Sequence, residues 1–229
     1  MKIRNAFSAL CALSLIYTVG CANNSGSTSP ASSDNGKLDQ AYPLLWEDAH
    51  NEGKDWTSHV YDIINKETPD LVQGAEDITA FCPRYFQLTT DERINFWGVL
   101  ISGIVKYESN FDPTNRMHET TMGTDPVTGR PVYSEGLMQL SYQDIRPYPF
   151  CEFDWDTDRK LKPNDPNKTI LDPYKNLSCG VKILAQQIKN RNRITLTKGV
   201  YWSVIKVNGK YSKIPQIAAL TRQMPGCMN

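Results

Sequence analysis

The stretch TTDERINFWGVLISGIVKYES, from Thr89 to Ser109, constrains the fold more than any other part of the chain. Its apolar residues recur at intervals of three and four, which predicts an amphipathic helix of about five turns. Thr89 is followed three residues later by Glu92, a pattern typical of a capping box at a helix start. The helix should end at Glu108, which shares the apolar face with Ile104. A carboxyl group therefore occupies a position where a buried leucine is expected.

The rest of the domain is predicted to be mainly α. Asp172 and Pro173 form the expected cap and first residue of a second long helix. A short helix is expected within SEGLMQLSYQDI, which begins at Ser134. Gly and Pro in the segment 113–133 predict a loop or a short hairpin. Other helices are predicted at 38–50, 55–66, 201–204 and 215–222, and an irregular segment at 146–172.

The N-terminus has the features of an exported chain. Residues 1–20 combine a basic start with a short apolar stretch, which predicts a signal peptide rather than a membrane span. The sequence TVGCAN resembles a bacterial lipobox, so we expect Cys21 to be lipidated and residues 21–36 to form a flexible tether. A plain secretory leader with an incidental Cys21 is the alternative. The folded domain is then expected to span residues 37–229.

Outside the leader and Cys21, the chain contains four cysteines. An even number in an exported protein predicts two disulfides, for which three pairings exist. We favour Cys151–Cys179, which ties a long irregular segment to a helix start, together with Cys82–Cys227. A zinc site is the weaker interpretation because the spacing is wide and the chain contains no CxxC motif.

Several classes of function are disfavoured. Lys plus Arg equals Asp plus Glu, 25 each, so nothing in the charge favours a nucleic acid as partner. The segment HETTM lacks the second histidine of a zinc protease, and no Walker or GxSxG motif is present. DWDTDRKLKPND imitates a calcium loop, but Arg159 replaces the glycine that the turn requires. We therefore expect no metal and no cofactor. The protein is also expected to be a monomer.

Glu108 itself allows two interpretations. The plain one is a glutamate at a helix end that turns outward into water. The functional one is a carboxyl group whose pKa is raised by burial, so that it stays protonated near neutral pH. Such a group can deliver a proton to a leaving oxygen, which is the step that glycoside cleavage requires.

Three segments in order support the functional interpretation. YESNFDP, then SEGLMQLS at 134–141, then NLSCGVKILAQQI together resemble the lytic transglycosylases of the lysozyme-like superfamily. The resemblance covers roughly residues 90–205. It implies a lysozyme-like helical domain with one substrate cleft, in which Glu108 is the only catalytic acid and base.

The same resemblance implies roles for the residues around Glu108. Ser134 and Gln139 would hold the substrate or the catalytic carboxyl group by hydrogen bonds. The backbone around Leu137 and Met138 would line the cleft.

The third motif of that family is an Ala-Tyr-Asn segment, for which this chain offers GVYWS. Tyr201 matches the tyrosine, which would hydrogen-bond Glu108 and contact the substrate. Trp202 stands where asparagine is usual, and ordinary aromatic packing is the alternative for both residues. The insertion at 114–133 is a further departure from the family pattern and would form a cleft wall or a lid, with Tyr133 packing on a sugar.

Family resemblance implies peptidoglycan as substrate, cut between N-acetylmuramic acid and N-acetylglucosamine to give 1,6-anhydromuramyl ends. A hydrolytic lysozyme is the close alternative, and it needs a second carboxylate. A catalytically silent wall-binding lipoprotein is the third. The lipid anchor would place the domain at the outer membrane, facing the periplasm. Candidates for the second carboxylate are Asp112, Glu119, Asp125 and Glu135.

Overall fold

The computed structural model describes residues 41–227; the predicted signal peptide, Cys21 and the tether lie outside them. Within this range the chain forms five α-helices and one small two-stranded sheet, together with short 3₁₀ turns and one π-helical turn. The mainly helical fold predicted from the sequence is confirmed. The elements are α1 (Gly53–Asp62), α2 (Thr90–Glu108), β1 (Arg116–His118), β2 (Tyr133–Glu135), α3 (Trp155–Asp158), α4 (Pro173–Arg191) and α5 (Ile214–Thr221).

Helix α2 is the central element of the core. The predicted capping box is present: the Glu92 N–H donates to Thr89 Oγ1 at 3.3 Å, and the Thr89 N–H donates to the Glu92 carboxylate at 2.7 Å. All residues from Ile94 to Val105 are buried. The helix is thus enclosed on every side rather than along one stripe, because α1, α5 and the N-terminal segment all pack against it.

The predicted helix at 38–50 is wrong in its described part, where the chain forms turns. The side chain of Asn95 on α2 accepts the Tyr42 N–H and donates to the Tyr42 carbonyl, both at 2.8 Å. Leu44 and Trp46 are buried against the same core. These tertiary contacts outweigh local helix propensity. The second predicted helix is confirmed as α1, which continues into the π-helical turn Ile63–Glu67.

Helix α4 begins as predicted. The Asp172 carboxylate accepts the N–H groups of Tyr174 and Lys175 at 2.9 and 3.0 Å, and Pro173 is the first helical residue. The helix ends at Arg191, and Asn192 follows in the left-handed conformation that commonly terminates helices.

The segment after β2 packs tightly on α4. Gly136 adopts φ 79°, and a Cβ there would lie 2.3 Å from the Asn176 side chain. A Cβ on Gly180 would lie 2.2 Å from Met138 Sδ, so both glycines permit this close approach. The predicted helix in this segment is reduced to the 3₁₀ turn Tyr142–Ile145, because Gly136 and Gln139 (φ 50°) are both left-handed.

Both predicted disulfides are present. Cys82–Cys227 joins residues 145 apart in sequence, and Cys151–Cys179 joins residues 28 apart. The second bridge anchors the irregular segment before α4 to α4 itself. Each bridge restricts the unfolded chain, which typically stabilises a protein by about 2 to 4 kcal/mol.

The acidic segment that imitates a calcium loop is committed to internal hydrogen bonds. Asp154 caps α3 by accepting the Thr157 N–H at 3.1 Å. Asp158 is buried and accepts the Tyr142 hydroxyl and the Thr169 N–H, both at 2.8 Å. In residues 41–227 no group of His, Cys, Asp or Glu is arranged to hold a metal ion. No helix in that range is long and apolar enough to cross a membrane.

Candidate active site

Glu108 is the last residue of α2, and its side chain is half-buried. Its Oε1 is shielded from solvent and has no hydrogen-bond partner among residues 41–227. The chain reverses directly after it, since Asn110 and Phe111 both have positive φ, at 52° and 67°. This backbone is unusual for phenylalanine, and the burial of the Phe111 side chain holds it. Glu108 therefore stands at the C-terminal end of the helix, directly before this change of backbone direction.

The environment of Glu108 raises its pKa to about 7, from an ordinary value of 4.5. The largest cause is burial, which disfavours the charged form. The negative charge of Glu119 acts in the same direction, and a hydrogen bond from the Val204 N–H opposes both. A large share of Glu108 is therefore protonated at neutral pH, as a proton donor requires.

The strands β1 and β2 form an antiparallel hairpin with two different faces. Met117 pairs with Ser134, and on the alternate positions Arg116 pairs with Glu135. Successive side chains of a strand point to opposite faces, so Ser134 and Glu135 lie on different sides of the ribbon. We call the side that carries Ser134 the acid face, because Ser134 Oγ donates to Glu119 Oε1 at 2.6 Å.

Glu119 directly follows β1, and its N–H donates to the Val132 carbonyl at 2.9 Å. This bond lies within the insertion 114–133, so the insertion holds the backbone of a residue whose charge acts on Glu108. Ser134 thus hydrogen-bonds Glu119 in this structure, and its predicted role of holding the substrate or the catalytic carboxyl group stays a prediction. Glu119 is the acid, among the four candidates, whose charge raises the pKa of Glu108.

The other candidate acids are engaged elsewhere. Asp112 accepts the Thr114 N–H and hydroxyl at 2.8 Å in a local turn. Asp125 is buried and accepts backbone N–H groups, including that of Gln143 at 3.0 Å.

Glu135, the remaining candidate, is an ion-pair residue. It is 2% exposed and pairs with Lys168, which is 3% exposed. Its second oxygen lies 3.3 Å from Arg116 Nε. The face of the hairpin opposite Ser134 therefore carries a neutralised glutamate, and the structure gives Glu135 a structural role. Arg116 and His118 pack on the ring of Tyr133 there, at 3.2 and 5.0 Å from its centroid.

Gln139, Leu137 and Met138 have packing roles in this structure. Gln139 Nε2 donates to the Gly136 carbonyl at 2.9 Å, which closes the turn after β2. Leu137 and Met138 are fully buried, and the Met138 N–H donates to Asn176 Oδ1 at 2.7 Å. A contact of these residues with substrate stays a prediction.

Tyr201 lies close enough to Glu108 for the Glu108 charge to raise the pKa of the tyrosine. Its hydroxyl donates to Asp144, however, so the predicted hydrogen bond to Glu108 is wrong in this structure. Trp202 is 2% exposed, and its Nε1 donates to the Met138 carbonyl at 2.8 Å. This hydrogen bond joins the third motif, which contains Trp202, to the second motif at residues 134–141.

Sequence reasoning missed Asp144, Asn176 and the Val204 N–H. Asp144 follows Ser141 by three residues, a spacing that signals a capping box and could have been found. Asn176 and Val204 gave no local signal, because their roles depend on which elements meet in the fold. Tyr201 also lines a surface groove along α4, together with Tyr148, Ile183, Gln187 and Asn190.

Comparison with known proteins gives one clear result. No family model matches the sequence, and none of the curated proteins does. Among solved structures, wild-type Bd0314 DslA from Bdellovibrio matches with a TM-score of 0.69 and 30% identity. The match covers 82% of this chain and 100% of that one. Two DslA variants, each with one glutamate replaced by glutamine, match with TM-scores of 0.68 and 0.69 at 29% identity over the same shares.

Because the match covers all of the DslA chain and 82% of this one, the similarity extends over most of this chain. The mainly helical architecture agrees with this similarity. At 30% identity over the full length of the DslA chain, this protein belongs to the same family as DslA and has a lysozyme-like fold.

Proposed function

We propose that the protein cleaves the glycan strands of peptidoglycan at the β-1,4 bond between N-acetylmuramic acid and N-acetylglucosamine. The observation that carries the proposal is the carboxyl group of Glu108, whose pKa of about 7 leaves a proton available. Protonation of the bridging oxygen turns a poor alkoxide leaving group into a hydroxyl. Similarity to a lysozyme-like protein supports a glycan as the substrate class.

We further propose that Glu119 is a second catalytic carboxylate. The charge of Glu119 raises the pKa of Glu108, and the Ser134 hydroxyl donates a hydrogen bond to Glu119. The two glutamates replaced in the DslA variants are eleven residues apart. Glu108 and Glu119 are also eleven residues apart, which supports the same pair here.

A pair of carboxylates favours hydrolysis over the single-acid route. Glu108 donates its proton to the bridging oxygen as the C1–O bond breaks. Glu119 provides a negative charge that stabilises the positive charge developing at C1. A water molecule supplies the oxygen that finally bonds to C1. The proton lost by that water passes to Glu108, so Glu108 is again protonated and Glu119 again charged.

Formation of 1,6-anhydromuramyl ends is the second candidate, favoured by the motifs at Glu108 and Ser134 that resemble lytic transglycosylases. In that route Glu108 first donates its proton and then accepts one from the muramyl C6 hydroxyl. That oxygen closes onto C1, and Glu119 has no required part. The two candidates differ in product and in their need for Glu119.

Mass spectrometry of the fragments released from purified peptidoglycan tests both. The wild-type protein would be compared with Glu108→Gln and Glu119→Gln, each with its fold checked by circular dichroism. Reducing ends that disappear in both variants support the hydrolase. Anhydro ends that persist in Glu119→Gln support the transglycosylase.

Absence of fragments from the wild-type protein would overturn both candidates. Binding to insoluble wall without loss of turbidity would then favour a silent wall-binding protein.

A further inference from the structure

A small cavity lies on the face of the hairpin opposite the acid face, and the proposed mechanism does not use it. Its volume is about 110 Å³. Arg116, Tyr133 and Glu135 share that face of the hairpin and line the cavity. Trp155 and Arg159 line it from the segment that imitates a calcium loop. The hairpin and this segment therefore meet around one cavity.

The three acids that line the cavity are all engaged by other protein groups. Asp125 is buried and accepts backbone N–H groups with both carboxylate oxygens. Asp158 is also buried, and its two oxygens accept hydroxyl and backbone N–H groups. Glu135 is shared by Lys168 and Arg116. The segment that imitates a calcium loop therefore turns its buried acid toward the protein and not toward a cation.

The cations around the cavity are less well matched. Four line it, against three acids: Arg116, Arg130, Arg159 and Lys168. Arg116 Nε lies 3.3 Å from Glu135 Oε1, but its N–H is not aligned with that oxygen and has no hydrogen-bond partner among residues 41–227. Positive charge and N–H donors therefore remain available on the cavity wall.

Arg130 is the clearest unmatched charge. Its side chain is exposed, and its guanidinium lies 5.0 Å from the centroid of the Trp155 ring. It forms no ion pair with any acid in the described range 41–227. An arginine that stacks on an aromatic ring keeps the N–H groups at its edge available for a carboxylate. The tryptophan thus holds a guanidinium at the mouth of the cavity with its donors free.

Arg159 adds a second guanidinium at the mouth. It stands where a calcium loop requires glycine. Its Nε lies 3.3 Å from the Asp156 carboxylate, and the two side chains are 54% and 85% exposed. Exposed pairs of this kind contribute little to stability, so Arg159 can exchange this partner for a ligand at small cost. The residue that disfavours calcium is thus one that favours an anion.

We propose that this cavity, which we call the arginine pocket, binds a carboxylate group through Arg130 and Arg159, and that this carboxylate belongs to the peptide attached to muramic acid in peptidoglycan. A planar carboxylate matches the fork of N–H donors on a guanidinium. The volume of about 110 Å³ suits an end group and not a glycan strand. The choice of the peptide as the source rests on the proposed function.

The place of the arginine pocket decides what a bound group can do. The pocket and Ser134 lie on opposite faces of the hairpin, so the bound carboxylate takes no part in cleavage of the glycosidic bond. It contributes to holding the substrate, and the pocket therefore selects glycan strands that carry peptides.

A muramyl peptide tests binding without turnover, because it contains no glycosidic bond. The full chain is labelled with ¹⁵N-tryptophan, and loss of one indole signal in Trp155→Phe assigns Trp155. We expect N-acetylmuramyl-L-alanyl-D-glutamic acid to shift this signal. The same compound with its carboxylates converted to amides should bind about ten-fold more weakly or worse. Equal binding of the two forms would overturn the proposal.

Variants at the mouth of the pocket locate the bound group. Arg130→Gln should weaken binding of the muramyl peptide about ten-fold, and Arg159→Gln should weaken it as well. Both side chains are exposed, so the fold should persist, and circular dichroism checks it. Arg191→Gln changes an exposed arginine outside the pocket and is the matched control, for which we expect no change. Unchanged binding in both pocket variants would overturn the assignment of the site.

Sodium acetate separates a free carboxylate from one on the peptide. We expect acetate to bind more weakly than the muramyl peptide, because it lacks the neighbouring atoms that contact Trp155. A shift of the Trp155 signal by acetate, with none by the muramyl peptide, would overturn the peptide as the source.

The cleavage assay gives a second readout. Arg130→Gln should raise KM for intact peptidoglycan several-fold with a smaller effect on kcat, because the lost contact binds substrate and transition state alike. This difference in KM should disappear on glycan strands stripped of their peptides by an amidase. A fall in kcat at constant KM would contradict the proposal. Failure of the wild-type protein to cleave would overturn the proposed function, while the binding experiment would still decide the role of the pocket.

Discussion

The two faces of the hairpin β1–β2 each hold a glutamate next to other charged groups, with opposite results. On one face Glu135 is enclosed by Lys168 and Arg116 and is neutralised. On the acid face the charge of Glu119 acts on Glu108, whose Oε1 is shielded from solvent and has no partner among the described residues. Burial alone therefore does not identify a catalytic acid.

The difference lies in what compensates the buried charge. A carboxylate that is paired with cations stabilises the fold only while the pair is intact. A carboxyl group that is buried, and that also feels the charge of another acid, is costly when charged and therefore keeps its proton more readily. The first arrangement suits a structural role, and the second suits proton transfer.

The largest expected effect is on the rate of cleavage, which should depend on Glu108 and not on Glu135. Glu108→Gln should lower the rate of peptidoglycan cleavage about 10³-fold, because the proton donor is lost. Glu135→Gln, measured on folded protein, should retain most of its activity. Turbidity loss of purified wall measures both. Similar losses in the two variants would break the proposed division between the faces.

The second prediction concerns stability. Glu135→Gln leaves Lys168 buried without its charge partner, and we expect a loss of about 4 kcal/mol in the free energy of unfolding. Urea denaturation measures it. Replacement of the exposed pair residue Asp62 provides the control, with an expected change below about 0.5 kcal/mol. A small loss for Glu135→Gln would mean that water reaches Lys168.

The third prediction uses pH. The pKa of Glu108 is about 7 in the folded protein against 4.5 for an ordinary glutamate, so folding favours its protonated form. The cost of charging it should therefore appear as pH rises above about 4.5 and be complete above about 7.

Glu108→Gln avoids this cost. Its stability should equal that of the wild-type protein at pH 4 and exceed it by up to about 3 kcal/mol at pH 8. Thermal unfolding at both pH values measures the difference. A constant difference at all pH values would show that Glu108 titrates normally.

The smallest expected effect concerns the hydroxyl that holds Glu119. Ser134→Ala removes one hydrogen bond, worth about 1 kcal/mol, and should slow cleavage about five-fold with little change in stability. Ser134→Thr, which keeps a hydroxyl, is the control. If Ser134→Ala cleaves at the wild-type rate, Glu119 does not depend on this bond.

The sequence predicted features that depend on neighbouring residues along the chain. The capping box at Thr89, the cap at Asp172 and the position of Glu108 all follow from local spacing, and all are confirmed as structural features. Both disulfide pairings were favoured correctly, although spacing alone left three possibilities.

Contacts between residues far apart in sequence could not be predicted from local spacing. The hydrogen bond from Tyr201 to Asp144 joins residues 57 apart, and the motif resemblance pointed to Glu108 instead. Likewise, the choice of Glu119 among four acids required the hairpin register, which sets Ser134 and Glu135 on opposite faces. The failed helix at 38–50 has the same origin, because Asn95 on another element holds Tyr42.

The bridge between Cys82 and Cys227 has a consequence for damage by proteases. The exposed tip of the insertion, near Gly123, lies between these two cysteines in sequence. A single cut there would separate the chain into two fragments that the bridge still joins covalently. Both proposed catalytic glutamates lie before the cut, while Ser134, Asp144 and Tyr201 lie after it. A nicked molecule would thus keep all five residues within one covalent unit as long as the bridge remains oxidised.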